Sequence, residues 1–330
     1  MNADAPAADA AWKVVARSVR RTVRRTRNRW RAASPILLYH RVAEGFADPW
    51  SLCVSPANFR EHLAVLAARG VRPLDALVDD VAGGRPRRAP VVTFDDGYAD
   101  FADVALPGLR AYAIPATLFV VSGVLDALRE FWWDDIERIV LVPSALPASL
   151  ALDVGGAPFA WRFASDGDRR ALYHALHRRL GRLAGAARAT ALDALARWAG
   201  VGPGCRPTHR SLDAATLATV ARDPRLTIGA HTVSHSYLGA LPVDEQEREI
   251  VEGKCALEAI VGTPVRLFSY PHGDHEPETV ACVRAAGFDA ACGTDAEPVV
   301  GPVDRFDLPR IEVPNFPGTA FARWLDEWGG

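Results

Sequence analysis

Pro90-Val91-Val92-Thr93-Phe94-Asp95-Asp96-Gly97 is the stretch on which the fold turns. Its first five residues form a short apolar, β-branched run, the pattern of a buried strand, and Gly97 ends it. Asp95 and Asp96 therefore stand at a strand end. A second stretch, Leu226-Thr227-Ile228-Gly229-Ala230, is followed by His231-Thr232-Val233-Ser234-His235. His231 again ends a strand, and a following turn of helix is expected to bring His235 to the same face. Barrel and open α/β enzymes assemble their sites from side chains at strand ends. Two carboxylates and two imidazoles are the parts of a hydrolytic metal site: three ligands, an open position and a spare carboxylate as base. Asp-Asp-Gly alone reads as a turn, and His-x-x-x-His alone as a helix surface. Their joint occurrence, each directly after a buried strand, points to a metal.

From Ile36 onward, apolar strands alternate with helical segments, the pattern of a parallel α/β sheet. Strands are expected at 36–40, 90–94, 116–121, 226–230, 266–270, 289–293 and 308–313. Ser55-Pro56 opens a helix running through Phe59, Leu63 and Leu66 to Gly70, and further helices are expected at 99–113, 244–260 and 277–286. The rhythm breaks at 130–225, which starts with Phe131-Trp132-Trp133-Asp134-Asp135 and becomes rich in alanine, arginine and leucine. It reads as a helical insertion over or beside the catalytic face, setting substrate choice. Trp132 and Trp133 either stack on rings of a substrate or anchor the insertion to the rest of the fold.

Further strings join the first two: Ile36-Leu37-Leu38-Tyr39-His40-Arg41-Val42, Ile114-Pro115-Ala116-Thr117-Leu118-Phe119-Val120, Phe268-Ser269-Tyr270-Pro271-His272-Gly273 and Leu308-Pro309-Arg310-Ile311. In this order they resemble the polysaccharide deacetylases with a NodB homology domain (carbohydrate esterase family 4). The nearest branch is that of the poly-N-acetylglucosamine deacetylases, and the likeness spans roughly residues 35–135 and 225–315. The resemblance implies a distorted (β/α)7 barrel, a divalent metal, zinc, and an acetylated saccharide as substrate. It also implies Asp95 as general base and Asp96, His231 and His235 as metal ligands; spacing alone leaves open which aspartate does which.

An acetamido group is a poor electrophile, so a metal that polarises its carbonyl and activates water suits the task. The oxyanion is expected against the metal and a backbone N–H within Tyr270, Pro271, His272 and Gly273, the substrate-binding segment. The sugar nitrogen must leave as an amine, which requires a general acid. His40 is the candidate, the alternative being a core histidine satisfied by a carbonyl. Ser269 stands where many members carry an arginine that orients the base, and Arg310 is the residue expected to approach Asp95 instead. His272 replaces an aromatic; it and His275 are expected on an exposed loop, neither as a ligand. The family's aspartate-tryptophan signature is absent, with Asp295 the nearest carboxylate.

At 330 residues the chain has room for one large core with an insertion, read as a domain over 34–330 behind a basic segment over 1–33. A net charge of −2 gives no reason to expect nucleic acid as a partner. Five scattered cysteines without a Cys-x-x-Cys pair fit a reducing compartment. No apolar run reaches the ~18 residues of a membrane span, and the N-terminus does not read as a secretory signal. A cytoplasmic protein is therefore expected. Residues 12–31 place Trp12, Val15, Val19, Val23 and Trp30 at helical spacing against eight arginines between Arg17 and Arg31. This is either an amphipathic helix for the anionic inner face of a membrane or a solvated tail.

Overall fold

The computed structural model describes Asn28 and residues 33–330 apart from positions 46, 85, 86, 128, 165 and 166. Apart from Asn28, the basic helix expected over 12–31 lies outside the described residues. Seven short strands form the central sheet: β1 (Ile36–Tyr39), β2 (Val91–Phe94), β3 (Ala116–Val120), β4 (Leu226–Ala230), β5 (Leu267–Ser269), β6 (Ala290–Cys292) and β7 (Ile311–Glu312). Their order is β6-β5-β4-β3-β2-β1-β7, and every neighbouring pair is parallel.

The two edges of this sheet meet. Leu308 bridges Cys292 at the end of β6, its carbonyl accepting from Gly293 N–H (2.9 Å) and its own N–H donating to Ala291 (2.9 Å). Three residues later Ile311 pairs with Leu37 of β1. One segment thus spans the gap between first and sixth strands, giving the distorted β/α barrel expected from sequence and leaving no long edge unpaired.

β1, β2, β3, β5 and β6 are buried at every residue, as their near-continuous apolar runs require, while Thr227 of β4 is half-buried and Glu312 of β7 is exposed. Alternate residues serve different layers. Leu37, Val92, Leu118 and Phe268 share a core with Phe59, Leu63 and Leu66 of the helix Pro56–Arg69. Ile36, Val91, Phe119 and Leu267 pack with Leu74 and Leu77 of the helix Leu74–Ala82. Ser55 caps the first of these helices, its Oγ accepting from Asn58 N–H (3.2 Å), and Gly70 ends it with φ of 72°. The helix expected at 99–113 is a π turn over Phe101–Ala105 running into Leu106–Ala111. Those at 244–260 and 277–286 are Val243–Val261 and Pro277–Ala285.

Between β3 and β4 the chain leaves the barrel. Helices Trp132–Val140, Asp168–Leu180 and Gly185–Ala199 surround a core of Ile136, Leu172, Leu176 and Leu195. The insertion is not wholly helical: Ser149–Asp153 and Pro158–Arg162 form an antiparallel hairpin. Trp132 and Trp133 are both buried. Trp132 Nε1 donates to the His235 carbonyl (3.4 Å) and Trp133 Nε1 to Tyr98 Oη (2.7 Å), so both tie the insertion to the strand-end loops. No helix among the described residues is long and apolar enough to cross a membrane.

Candidate metal centre

Ladder hydrogen bonds carry on past the strand ends and set the site's spacing. Asp95 N–H donates to Tyr39 O (3.0 Å), Val121 N–H to Asp96 O (3.1 Å) and His231 N–H to Val120 O (3.0 Å). Asp96 takes a left-handed φ of 74° ahead of Gly97, a conformation aspartate tolerates better than most residues. His235 is not delivered by a helical turn. Thr232 and His235 both have positive φ (66° and 56°), and the loop is held by side chains. His235 N–H donates to Thr232 Oγ1 (2.9 Å), Glu249 accepts from the Val233 and Ser234 amides, and Arg188 of the insertion donates to Ser234 O (2.6 Å).

This loop brings His235 Nε2 to 3.1 Å from His231 Nε2. Asp96 Oδ1 lies 3.4 Å from His235 Nε2 and 3.7 Å from His231 Nε2. For ligands ~2.0–2.1 Å from a tetrahedral zinc, the edges of the coordination polyhedron are about 3.3 Å, so the triangle has the dimensions of one face. His231 Nδ1–H donates to Ser269 O (2.8 Å), which leaves Nε2 as the bare lone pair facing the other two atoms. All three side chains are buried, and Asp96 Oδ1 has no hydrogen-bond donor among the described residues. Burial, then the charges of Asp95 and Asp134, push the Asp96 carboxyl well above its usual range. Buried lone pairs converging without a donor are what a cation would satisfy.

The neighbouring carboxylate is bonded quite differently. Arg310, fully buried, donates Nη1 to Asp95 Oδ1 and Nη2 to Asp95 Oδ2, both at 2.7 Å. The same Nη2 reaches Ser269 Oγ (2.7 Å), whose hydroxyl donates to Asp95 Oδ2 (3.1 Å). Burial alone would raise the Asp95 carboxyl, but Arg310 and His231 hold it down at about 2. Asp95 is therefore an ionised, oriented acceptor, and Asp96 the carboxylate with an oxygen to spare. A second group, Asp134, Glu137 and His209, also gathers buried ligand atoms. There Asp134 already accepts from Tyr98 Oη (2.7 Å) and Glu137 from Arg206 (2.8 Å), so both of its acids have donors.

A cavity of about 320 Å³ opens over the triangle, lined by His40, Asp95, Trp133, His177, Tyr237 and His272 among others. His40 follows β1, its Nδ1 buried without a hydrogen-bond partner among the described residues, and burial lowers its imidazole to about 4. Of residues 270–273 only His272 lines the cavity. Tyr270 is a core residue whose hydroxyl donates to Phe306 O (2.9 Å), because its side chain, like that of Phe268, faces the helix layer and not the site. His272 is not on an exposed loop: its ring stacks on Tyr237 (3.8 Å) and lies 4.5 Å from the His235 ring. His275 stacks on Tyr270 (4.4 Å), outside the cavity, and Asp295 is exposed. Tyr270 N–H is committed to Cys292 O, Gly273 N–H to Tyr270 O, and Pro271 has none, which leaves the His272 amide as the segment's remaining donor. Gly273 permits this turn, with φ of 69° and Thr294 Oγ1 occupying the place of a Cβ. Trp50, His177 and Tyr237 went unread in the sequence; the only sign was a tryptophan in the turn-forming string Asp48-Pro49-Trp50-Ser51.

A parallel barrel that gathers a metal-sized triangle and an oriented spare carboxylate at its strand ends has the frame of a hydrolase. The polysaccharide deacetylase family model matches residues 82–143 and 205–291, the two segments that carry these groups. YxkH of Bacillus subtilis (strain 168), a protein named for that family, is 20% identical over 302 residues, 89% of this chain and 77% of that one. The poly-beta-1,6-N-acetyl-D-glucosamine N-deacetylase of Escherichia coli (strain K12) is 33% identical over 92 residues, 27% of this chain and 14% of that protein. The fold matches the Streptococcus pyogenes deacetylase PplD, solved with acetate, at a TM-score of 0.58 and 17% identity, over 90% of this chain and 98% of that one. The two matched segments, which carry the site, are those of a polysaccharide deacetylase domain of the NodB type, and that family consists of hydrolases.

Proposed function

We propose that the protein removes N-acetyl groups from sugar residues of a polysaccharide, oligosaccharide or glycolipid precursor, with Asp96, His231 and His235 holding a divalent metal. The observation that carries this reading is the pairing of an uncompensated Asp-His-His triangle with a separate carboxylate locked by Arg310. The activity named for the E. coli relative supports an N-acetylated sugar. Two nitrogens and one oxygen suit zinc, which supplies Lewis acidity towards a carbonyl oxygen and lowers the pKa of water.

The chain's own groups do the rest. Asp95, kept ionised by Arg310, accepts the proton of the attacking water. The His272 amide donates to the oxyanion, in place of a side chain from the same segment. His40 is neutral at rest, so the proton it hands to the departing nitrogen is one acquired during the reaction. The proton that Asp95 takes from the water is the one available for this transfer, and Asp95 returns to its ionised state beside Arg310 as His40 takes it up. An O-acetyl esterase would use the same site with less need of His40, since an alkoxide leaves more readily than an amide anion.

Asp95→Asn tests the assignment through acetate release and metal content measured on one sample. The expected result is a loss of at least ~10³-fold in rate with the metal retained. Loss of the metal along with the rate would move Asp95 into the ligand set and contradict the division of roles. Retained acetate release would remove Asp95 from the reaction altogether.

A further inference from the structure

The cavity continues past the metal triangle, and its outer wall comes from elements outside the family motifs. Trp50 lies on the turn after β1 and is 39% exposed, the most open of the large aromatic side chains among the described residues. It is not loose. Asp48 accepts from the Leu52 and Cys53 amides (2.8 and 3.1 Å) and so ties the turn together. Trp50 Nε1 donates to Tyr173 Oη (3.0 Å), and its ring packs 4.6 Å from His174 and 4.8 Å from His177. All three partners belong to the insertion helix Asp168–Leu180.

His177 is 4% exposed, lines the cavity, and its Nδ1 has no hydrogen-bond partner among the described residues. Its ring stands 5.5 Å from that of His272, which stands 4.5 Å from that of His235. A series of rings therefore leads from Trp50 at the mouth to a residue of the metal triangle. A buried nitrogen without a partner beside a half-open aromatic face is a suitable arrangement for a pyranose. The C–H face of such a ring stacks on indole, and its hydroxyls satisfy the nitrogen. Cavities for small ligands span roughly 300–1,000 Å³, so at about 320 Å³ this one has room for few sugar units.

We propose that Trp50 and His177 form a subsite for the sugar residue adjoining the one being deacetylated, Trp50 stacking on its ring and His177 Nδ1 bonding a hydroxyl. The insertion thereby reads the neighbour of the reacting sugar, making the enzyme one that acts within a chain in preference to a free monosaccharide. This rests on the saccharide reading of the site, and the test separates the two. Steady-state kinetics on β-1,6-linked N-acetylglucosamine oligomers of one to five units are measured for the full chain. Pentamer binding to the Asp95→Asn protein, with and without Trp50→Ala, is measured by calorimetry.

Trp50→Ala is expected to lower kcat/KM on the pentamer roughly tenfold, through KM, against under about threefold on the single sugar, with a matching loss in pentamer affinity. Trp50→Phe, which keeps an aromatic face, regains most of both. Equal losses on monomer and pentamer, or undiminished pentamer affinity in Trp50→Ala, overturn the subsite. If the wild type releases no acetate from any oligomer, the deacetylase reading fails on that result alone. The calorimetric comparison then still decides the platform, and absence of pentamer binding in both proteins overturns it.

Discussion

Asp95 and Asp96 are adjacent in sequence and chemically opposite in the fold. Arg310 occupies both oxygens of Asp95, while an oxygen of Asp96 is left facing two imidazoles. Because Arg310 is fully buried, its partner is what makes its charge tolerable. Breaking a buried pair from one side costs about 3–5 kcal/mol, whereas removing both charges costs much less. Arg310→Met is accordingly expected to lower the free energy of unfolding in urea by about 3–5 kcal/mol. Adding Asp95→Asn to it should recover part of that loss. If the double variant is the less stable of the two, the pair is not the electrostatic unit described. The approach of Arg310 to Asp95 was legible because only one arginine stands in the late-strand string Leu308-Pro309-Arg310-Ile311. The route of His235 was not. A helical turn and a loop with two left-handed residues bring a histidine back to its predecessor equally well, and the side chains that select the loop, Glu249 and Arg188, are distant in sequence.

Among elements, the strands were the most legible, since runs such as Ile36–Tyr39 and Ala116–Val120 are apolar, short and bounded by turn residues. The hairpin Ser149–Asp153 with Pro158–Arg162 was missed because alanine, leucine and aspartate lack the β-branched signature. Its sign was the Gly155-Gly156 pair between the two strands. The helix Pro56–Arg69 shows how an element is seated by one polar group. His62 Nε2–H donates to Phe316 O (2.6 Å), its Nδ1 meets Tyr39 Oη (3.2 Å), and its ring stacks on Phe321 of the helix Gly318–Trp328 (3.9 Å). Burial lowers this imidazole to about 4 despite the Phe316 carbonyl. The folded state thus binds fewer protons at His62 than the unfolded chain, whose histidine titrates near ~6.5. The contribution is present in full above about pH 6.5 and is lost as the pH falls towards 4, at about 1.4 kcal/mol per unit. Urea unfolding of the wild type at pH 7 and pH 4.5 should therefore show a larger drop in stability than His62→Gln, by about 2 kcal/mol. Equal drops would mean that His62 does not carry the linkage.

At the scale of the whole molecule, the insertion carries an apolar core of its own beside the two apolar layers of the barrel. The break in rhythm at 130–225 was visible in the sequence, but not what it does. The cavity wall needs Trp50 from one loop and His177 from a helix more than a hundred residues later. Leu195→Ala, at a fully buried position of the insertion core, is expected to cost about 2–5 kcal/mol locally. Hydrogen exchange should then accelerate across helices Asp168–Leu180 and Gly185–Ala199 while β1 to β4 stay protected; uniform acceleration would mean a single cooperative core. Everything proposed for the reaction depends on where a cation binds. Anomalous diffraction at the zinc edge from crystals of the zinc-loaded protein decides it. The account predicts one peak ~2.0–2.2 Å from Asp96 Oδ1, His231 Nε2 and His235 Nε2. A peak among Asp134, Glu137 and His209 instead, or none at the triangle, would contradict it.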